Sequence, residues 1–274
     1  MKIFCSKLLV ITLLLLFGLG ISIAQDRKKK TVEEKKIKLE TRWNYQIESG
    51  TPSNTGIKAS TIQYNQDTQR KNWILFDKEG REKYVYTYEY SKNTTNCYRT
   101  DNNGKKVLDY VQEYDNAGHL IKEIRYTGNG ELKDILQITL DDTGVPIKEE
   151  RLNAKKEKTL EVSYIYDRNN NKVYKTLKDY QANKFFEIVL EKDAQGKVIV
   201  RKLYDASGPL MEHTVQVWDD KGIIKQRISY DNNGDLLRKE VYSLDEITQS
   251  RTESIFMGKT SNLVSFVVYT YEYY

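Results

Sequence analysis

Tyr114-Asp115-Asn116-Ala117-Gly118-His119-Leu120 is the stretch whose reading decides the fold. Asp at its second place and Gly at its fifth suit a type I turn closed by a left-handed residue, which is the three-residue hairpin loop with a glycine bulge. The Asp carboxylate can hold nearby backbone amides, and Gly enters positive φ without a steric penalty. If Asp115 opposes His119, then Tyr114 opposes Leu120. Such an aromatic–aliphatic pair is worth roughly 0.2–1 kcal/mol.

The turn recurs. Openings stand at Asp101, Asp115, Thr127, Asp141, Asn153, Asp167, Asp179, Asp193, Asp205, Asp219 and Asp231, with gaps that alternate between 14 and 12, so the unit is 26 residues: two strands and two turns. An earlier copy, Asp77 to Gly80, stands 24 residues before Asp101. The same register puts Tyr126 opposite Leu132, Tyr204 opposite Leu210, Trp218 opposite Ile224 and Tyr230 opposite Leu236. An odd loop with even gaps predicts that even-numbered residues share one face of the sheet. That set is the more apolar one: Tyr84, Tyr86, Tyr88 and Tyr90; Leu132, Leu136, Ile138 and Leu140; Leu160, Val162, Tyr164 and Tyr166. Odd positions such as Glu123, Arg125, Lys133, Glu161 and Arg201 carry more charge. Asp134, Lys148, Glu150, Val215 and Val217 break the rule.

Tyr-Asp-x-x-Gly-x-Leu with strands between resembles the YD repeats of RHS-type proteins. Tyr114–Leu120, Tyr204–Leu210 and Tyr230–Leu236 carry the likeness, with weaker copies at Tyr166 and Trp218, over roughly residues 75–245. The resemblance implies an extracytoplasmic β-structure linked to surface interactions and carbohydrate binding. The toxin domain enclosed by large RHS shells has no counterpart here. A weaker similarity to MORN-like hairpin arrays, some of them bacterial antitoxins, lacks the Gly-x-Trp element of those repeats.

Residues 1–24 read as a signal peptide: Lys2 and Lys7, an apolar run from Leu8 to Leu19, then Ser22-Ile23-Ala24 for cleavage. That run is short for a membrane span, and no second one follows. Residues 25–40 are a charged leader in which Arg27 to Lys30 face Glu33 and Glu34. One β-repeat domain is expected over 41–274, with regular repeats over about 75–245 and a closing hairpin over about 251–274. The formal net charge is +5 with both signs mixed throughout, which makes no case for nucleic acid. The chain has 21 Tyr, a residue that fits strands and buries a ring while its hydroxyl stays wet. Only Cys97 remains after signal removal, so the mature chain has no internal disulfide.

Strands are expected at 41–48, 58–64, 70–76 and 83–90, with 51–56 a loop by composition and 244–250 able to hold one helical turn. A spacing of 13 from residue 41 predicts about 18 strands. Open twisted sheets rarely exceed about 10 strands without curling or splitting, and a closed barrel this large leaves a hollow that side chains cannot fill. The expected fold is all-β: a long antiparallel meander coiled into a curved sheet or two packed layers.

Catalytic signals are poor. His119 and His213 stand in no metal spacing, and no nucleophile or phosphate-loop motif occurs. Asp231 to Asp235 lacks the order and distant Glu of a calcium loop. Asn93-Thr94-Thr95 is a glycosylation sequon and marks a surface loop. No cofactor or metal is implied. The aromatic row supplies the candidate ligand contacts: Tyr84, Tyr86, Tyr88, Tyr114, Tyr164, Tyr166 and Trp218. The function read from this is an exported, non-catalytic binding or scaffolding module of the cell envelope, periplasmic or outside, with a polysaccharide or envelope protein as partner. The alternatives are a glycan-acting enzyme with a carboxylate pair and an immunity-like partner protein.

Overall fold

The computed structural model describes residues 36–101, 103–245 and 247–274; the expected signal peptide and most of the charged leader lie outside them. The described chain forms 18 antiparallel strands in one sheet. They are β1 (Ile37–Glu48), β2 (Thr51–Tyr64), β3 (Arg70–Phe76), β4 (Glu82–Tyr90), β5 (Thr94–Asp101) and β6 (Lys106–Tyr114). The run continues with β7 (Leu120–Tyr126), β8 (Leu132–Leu140), β9 (Pro146–Asn153), β10 (Lys158–Asp167), β11 (Lys172–Asp179) and β12 (Lys184–Lys192). It ends with β13 (Val198–Asp205), β14 (Leu210–Trp218), β15 (Ile224–Asp231), β16 (Leu236–Asp245), β17 (Ser250–Met257) and β18 (Asn262–Tyr273).

Each strand pairs with the next, and β1 pairs with β18, with Leu39 opposite Glu272, Thr41 opposite Thr270 and Tyr45 opposite Phe266. The sheet is therefore a closed barrel. The expected curved open sheet or pair of packed layers is wrong. Closure satisfies both edge strands, whose backbone groups would otherwise be open to foreign pairing. The wall of the hollow is mixed: buried apolar side chains such as Leu136 and Phe186 alternate there with charged ones such as Arg125 and Asp134. Residues 51–56, expected as a loop, belong to β2. There the β1–β2 hairpin runs beyond the last pairings to β18 and β3, at Tyr45 and Ser60, and Pro52 sits where no further strand needs its amide.

The turns have the expected chemistry. Asp115 N–H donates to the His119 carbonyl at 2.9 Å and Gly118 N–H to the Asp115 carbonyl at 3.1 Å, with Gly118 at φ 87. One carboxylate oxygen of Asp115 accepts from the amides of Ala117 and His119 at 2.9 and 2.8 Å. Tyr114 pairs with Leu120, Tyr126 with Leu132, Tyr204 with Leu210, Trp218 with Ile224 and Tyr230 with Leu236. Residues 247–249 lie in a turn, with Asp245 accepting from the amides of Ile247 and Thr248.

The face rule needs correction. Just past Tyr114–Leu120 the register slips by one, so Glu113 opposes Lys122 and Tyr110 opposes Arg125. Ile121 is the extra residue of a second bulge. The same slip follows the turns before β3, β4, β8, β9, β10, β13, β14, β15 and β16. Where it is missing, as between Asp167 and Lys172, a four-residue loop brings even against odd at once. Along the wall, one face is therefore even-numbered on the longer strands β4, β6, β8, β10, β12, β14 and β16, and odd-numbered on the shorter strands between them. The apparent exceptions fall into place. Glu123, Arg125 and Arg201 share a face with Leu136 and Val162, whereas Lys148, Glu150, Val215 and Val217 lie on the other.

That shared face holds nearly every buried side chain, among them Cys97, Leu136, Val162, Leu177, Phe186, Leu203 and Val267. Side chains converge inside a closed sheet and diverge outside it, so this is the inner wall. Several of its charged groups are paired. Arg125 clasps Asp134 with two bonds of 2.7 Å, Arg201 stands 3.5 Å from Glu212, and Arg238 stands 2.7 Å from Glu240. The outer wall is salted with charge: Lys148 lies 3.0 Å from Glu150, Lys158 lies 2.6 Å from Glu161, and Lys202 lies 2.8 Å from Glu191.

Candidate functional site

Consecutive turns alternate between two rims. The upper rim carries the turn at Asp115, the lower rim the turn at Thr127. At the upper rim an aromatic stands just before several turns, and its polar atom reaches back to the preceding hairpin. Tyr90 donates to the Arg70 carbonyl at 2.8 Å, Tyr166 to the Pro146 carbonyl at 2.8 Å, and the Trp218 indole to the Val198 carbonyl at 2.9 Å. Each acceptor is the residue beside the extra one of a bulge, where the ladder is interrupted. The aromatic of the Tyr-Asp repeat thus restores a partner to a carbonyl on the adjacent strand.

The wall from β3 to β6 is the aromatic sector. Alternation along β4 turns Tyr84, Tyr86, Tyr88 and Tyr90 inward. Trp73 of β3 pairs across from Tyr86, and their rings stack at 5.0 Å with 27° between planes. Tyr88 and Tyr90 lie 6.4 Å apart with 17° between planes. Beneath them the Cys97 thiol is fully buried and bonded to Tyr110 and Tyr88; burial pushes it up to about 11, so it is held as the neutral thiol. Burial likewise pushes Tyr88 up to about 12, with the nearby Cys97 adding to the rise. The indole nitrogen of Trp73 is buried with no acceptor among the described residues.

The other expected contacts stand elsewhere on the inner wall. Tyr114 ends β6, and its hydroxyl donates to the Gln112 side chain at 2.8 Å. Tyr164 and Tyr166 on β10 stack at 6.3 Å, with Tyr164 donating to the Glu149 carboxylate and the Lys175 amine 4.9 Å from the Tyr164 ring centre. Trp218 is on β14. The structure thus brings Tyr84, Tyr86 and Tyr88 together and leaves Tyr164, Tyr166 and Trp218 on distant strands. His119 is held by Asp115 at 2.9 Å and lies over Gly144, while His213 stacks on Tyr230 at 4.9 Å on the outer wall.

At the lower end of the aromatic sector a cleft of about 430 Å³ opens between three hairpins. Tyr84 forms its apolar side, and Lys83, Arg99 and Lys105 bring three cations to it. Arg99 lies 5.3 Å from the Tyr84 ring centre, and its Nε is 3.3 Å from Asp109. Lys83 approaches the same ring at 5.4 Å. Trp73 and these cations were missed in the sequence. The turn at Asp77 alone would set Trp73 against Val85, and only the second bulge, at Lys83, brings it against Tyr86. The cations come from two hairpins, Lys83 from β3–β4 and Arg99 and Lys105 from β5–β6, and leave no local signal.

No protein-family profile matches the chain, and no curated protein matches it. Among solved structures the chain is similar to a porin-like protein from Bacteroides uniformis ATCC 8492, at 10% identity and a TM-score of 0.47, over 86% of this chain and 98% of that one. It is also similar to a protein of unknown function from Bacteroides fragilis NCTC 9343, at 17% identity and a TM-score of 0.17, over 54% of this chain and 88% of that one. Neither likeness decides a function.

Proposed function

We propose that this chain is an exported, non-catalytic binding barrel of the cell envelope that takes a saccharide chain along its aromatic inner sector. The carrying observation is the contiguous group of Trp73, Tyr84, Tyr86, Tyr88 and Tyr90 on two neighbouring strands of the inner wall. Rings so grouped offer broad apolar faces with polar edges, which suits the alternating faces of a sugar. The likeness of the turns to YD repeats points the same way, and the expected signal peptide would export the chain. The inner carboxylates argue against catalysis: Asp134, Glu149, Glu212 and Glu240 are each engaged by an Arg or Tyr. The test is retention of the mature chain, residues 25–274, on a panel of immobilised polysaccharides. Trp73→Ala with Tyr86→Ala should weaken retention by about tenfold, or 1.4 kcal/mol. Tyr174→Ala on the outer wall should leave it unchanged. Failure to retain any polysaccharide sinks the proposal.

A second reading, a membrane pore, is favoured by the closed, even-stranded antiparallel wall. Among the described residues no helix is long and apolar enough to cross a membrane, so strands alone would have to do so. Against it stands the outer cluster of Lys148, Glu150 and Glu161 inside strands β9 and β10, joined by Lys158 at the start of β10. A Lys facing lipid at the bilayer midplane costs about 2–4 kcal/mol. Steady single-channel conductance from the purified chain in a planar bilayer would favour the pore over the binding barrel.

A further inference from the structure

We infer that the cleft at the lower rim is a carboxylate-binding subsite and that the saccharide taken by the barrel is acidic. The inference rests on the saccharide reading and narrows it to sugars that bear a carboxylate, such as uronic acids.

Arg99 carries the argument. Its guanidinium is held from two sides, by Asp109 at Nε and by the Tyr84 ring. Its two terminal nitrogens have no acceptor among the described residues. A guanidinium fixed at Nε with its fork open is set to take a carboxylate with two parallel bonds. The amines of Lys83 and Lys105 line the same cleft and are in no ion pair among the described residues. The one carboxylate in the lining, Asp101, accepts from the amides of Asn103 and Lys105 on a single oxygen at 3.0 and 2.9 Å and keeps its charge; with Asp109 on Arg99, two carboxylates stand against three cations. The charge facing the cleft is therefore positive, and Tyr84 beside it offers a sugar ring an apolar surface.

Gly128 supports the reading. It lies outside the left-handed region, so its turn does not require glycine. A Cβ there would stand 3.2 Å from an Arg99 terminal nitrogen, so a side chain at this position would displace the guanidinium by a few tenths of an ångström. Any larger residue would press on the open fork.

The experiment is calorimetric titration of the mature chain with a galacturonic-acid oligomer and with the neutral galactose oligomer of the same length. The acidic oligomer should bind on the order of tenfold more tightly at low salt, with the preference shrinking as salt screens it. Arg99→Gln should abolish the preference, so that the two oligomers bind the variant alike. Lys83→Gln with Lys105→Gln, both on exposed side chains, should reduce the preference without touching the wall, and circular dichroism would verify the fold of each variant. Equal binding of the two oligomers by the unaltered chain overturns the carboxylate subsite and leaves the saccharide reading intact. Binding of neither overturns both. A preference that survives both sets of variants also overturns the assignment to this cleft.

Discussion

Tyr166 and Pro146 are joined across adjacent strands: the phenol donates to the proline carbonyl at 2.8 Å, twenty residues back along the chain. Tyr90 with Arg70 and Trp218 with Val198 repeat the bond at the same separation. A residue that reads as a turn signature thereby works on the neighbouring hairpin, supplying a donor where the bulge leaves a carbonyl outside the regular ladder. Tyr166→Phe keeps the ring and removes the donor. It should cost about 0.5–1.5 kcal/mol in urea denaturation, with Tyr174→Phe on the outer wall near zero. Equal stability of the two variants would remove the latch from the account.

Gly118 and Gly56 are constrained for different reasons. Gly118 sits at φ 87 with nothing within 4 Å of the Cβ position, so Gly118→Val should cost roughly 1–2 kcal/mol through backbone strain alone. Gly56 lies under the Tyr45 ring, where a Cβ would stand 2.8 Å from ring carbons. Gly56→Ala should be rescued by Tyr45→Ala, while Gly118→Val should have no such rescue. Thermal melts of the four variants would decide it.

Asp134 serves two guanidiniums, Arg125 at 2.7 Å and Arg151 at 3.7 Å. Burial already pushes Arg151 down, so its charge is poorly solvated. Asp134→Asn should cost about 2–4 kcal/mol, less than a fully buried pair because the Arg125 side chain is 30% exposed. Glu191→Gln, which breaks an outer pair with Lys202, should cost under about 1 kcal/mol. Comparable losses from the two changes would mean that the inner wall is as wet as the outer.

Alkali should open the barrel. Burial pushes the phenols of Tyr88, Tyr90 and Tyr166 up to about 12, against an ordinary 10.0. A raised folded-state value contributes nothing adverse below pH 10.0, where both states hold the proton, and stability is lost as the pH climbs through the window towards about 12. At the acid end the order reverses. Backbone amides hold Asp115 below its ordinary 3.8, so its contribution is complete above that value and disappears as the pH falls through the lowered one. β-Sheet circular dichroism that shows no loss of stability to urea between pH 10 and pH 12 would contradict the alkaline half.

The hairpin spacing could be read from Asp115, Gly118 and their copies because a type I turn with a left-handed residue is a local event. The assignment of faces failed at Ile121. A second bulge needs a partner for its freed carbonyl, and that partner is set by the next hairpin, not by the bulge's own sequence. Closure was hidden for a stronger reason: nothing near Leu39 announces Glu272. At the site, Tyr84, Tyr86 and Tyr88 were legible as one alternating run. Arg99 looked like any surface charge until Asp109, from the next strand, fixed its orientation.

Because one repeat contributes a rising strand and a falling one, rings of this kind can change girth only two staves at a time. Dropping or inserting a single stave would bring the first and last into parallel contact and spoil the seam between Thr41 and Thr270. Duplicating or deleting a whole 26-residue unit, such as Asp193 to Trp218, leaves that seam untouched and alters only the bore.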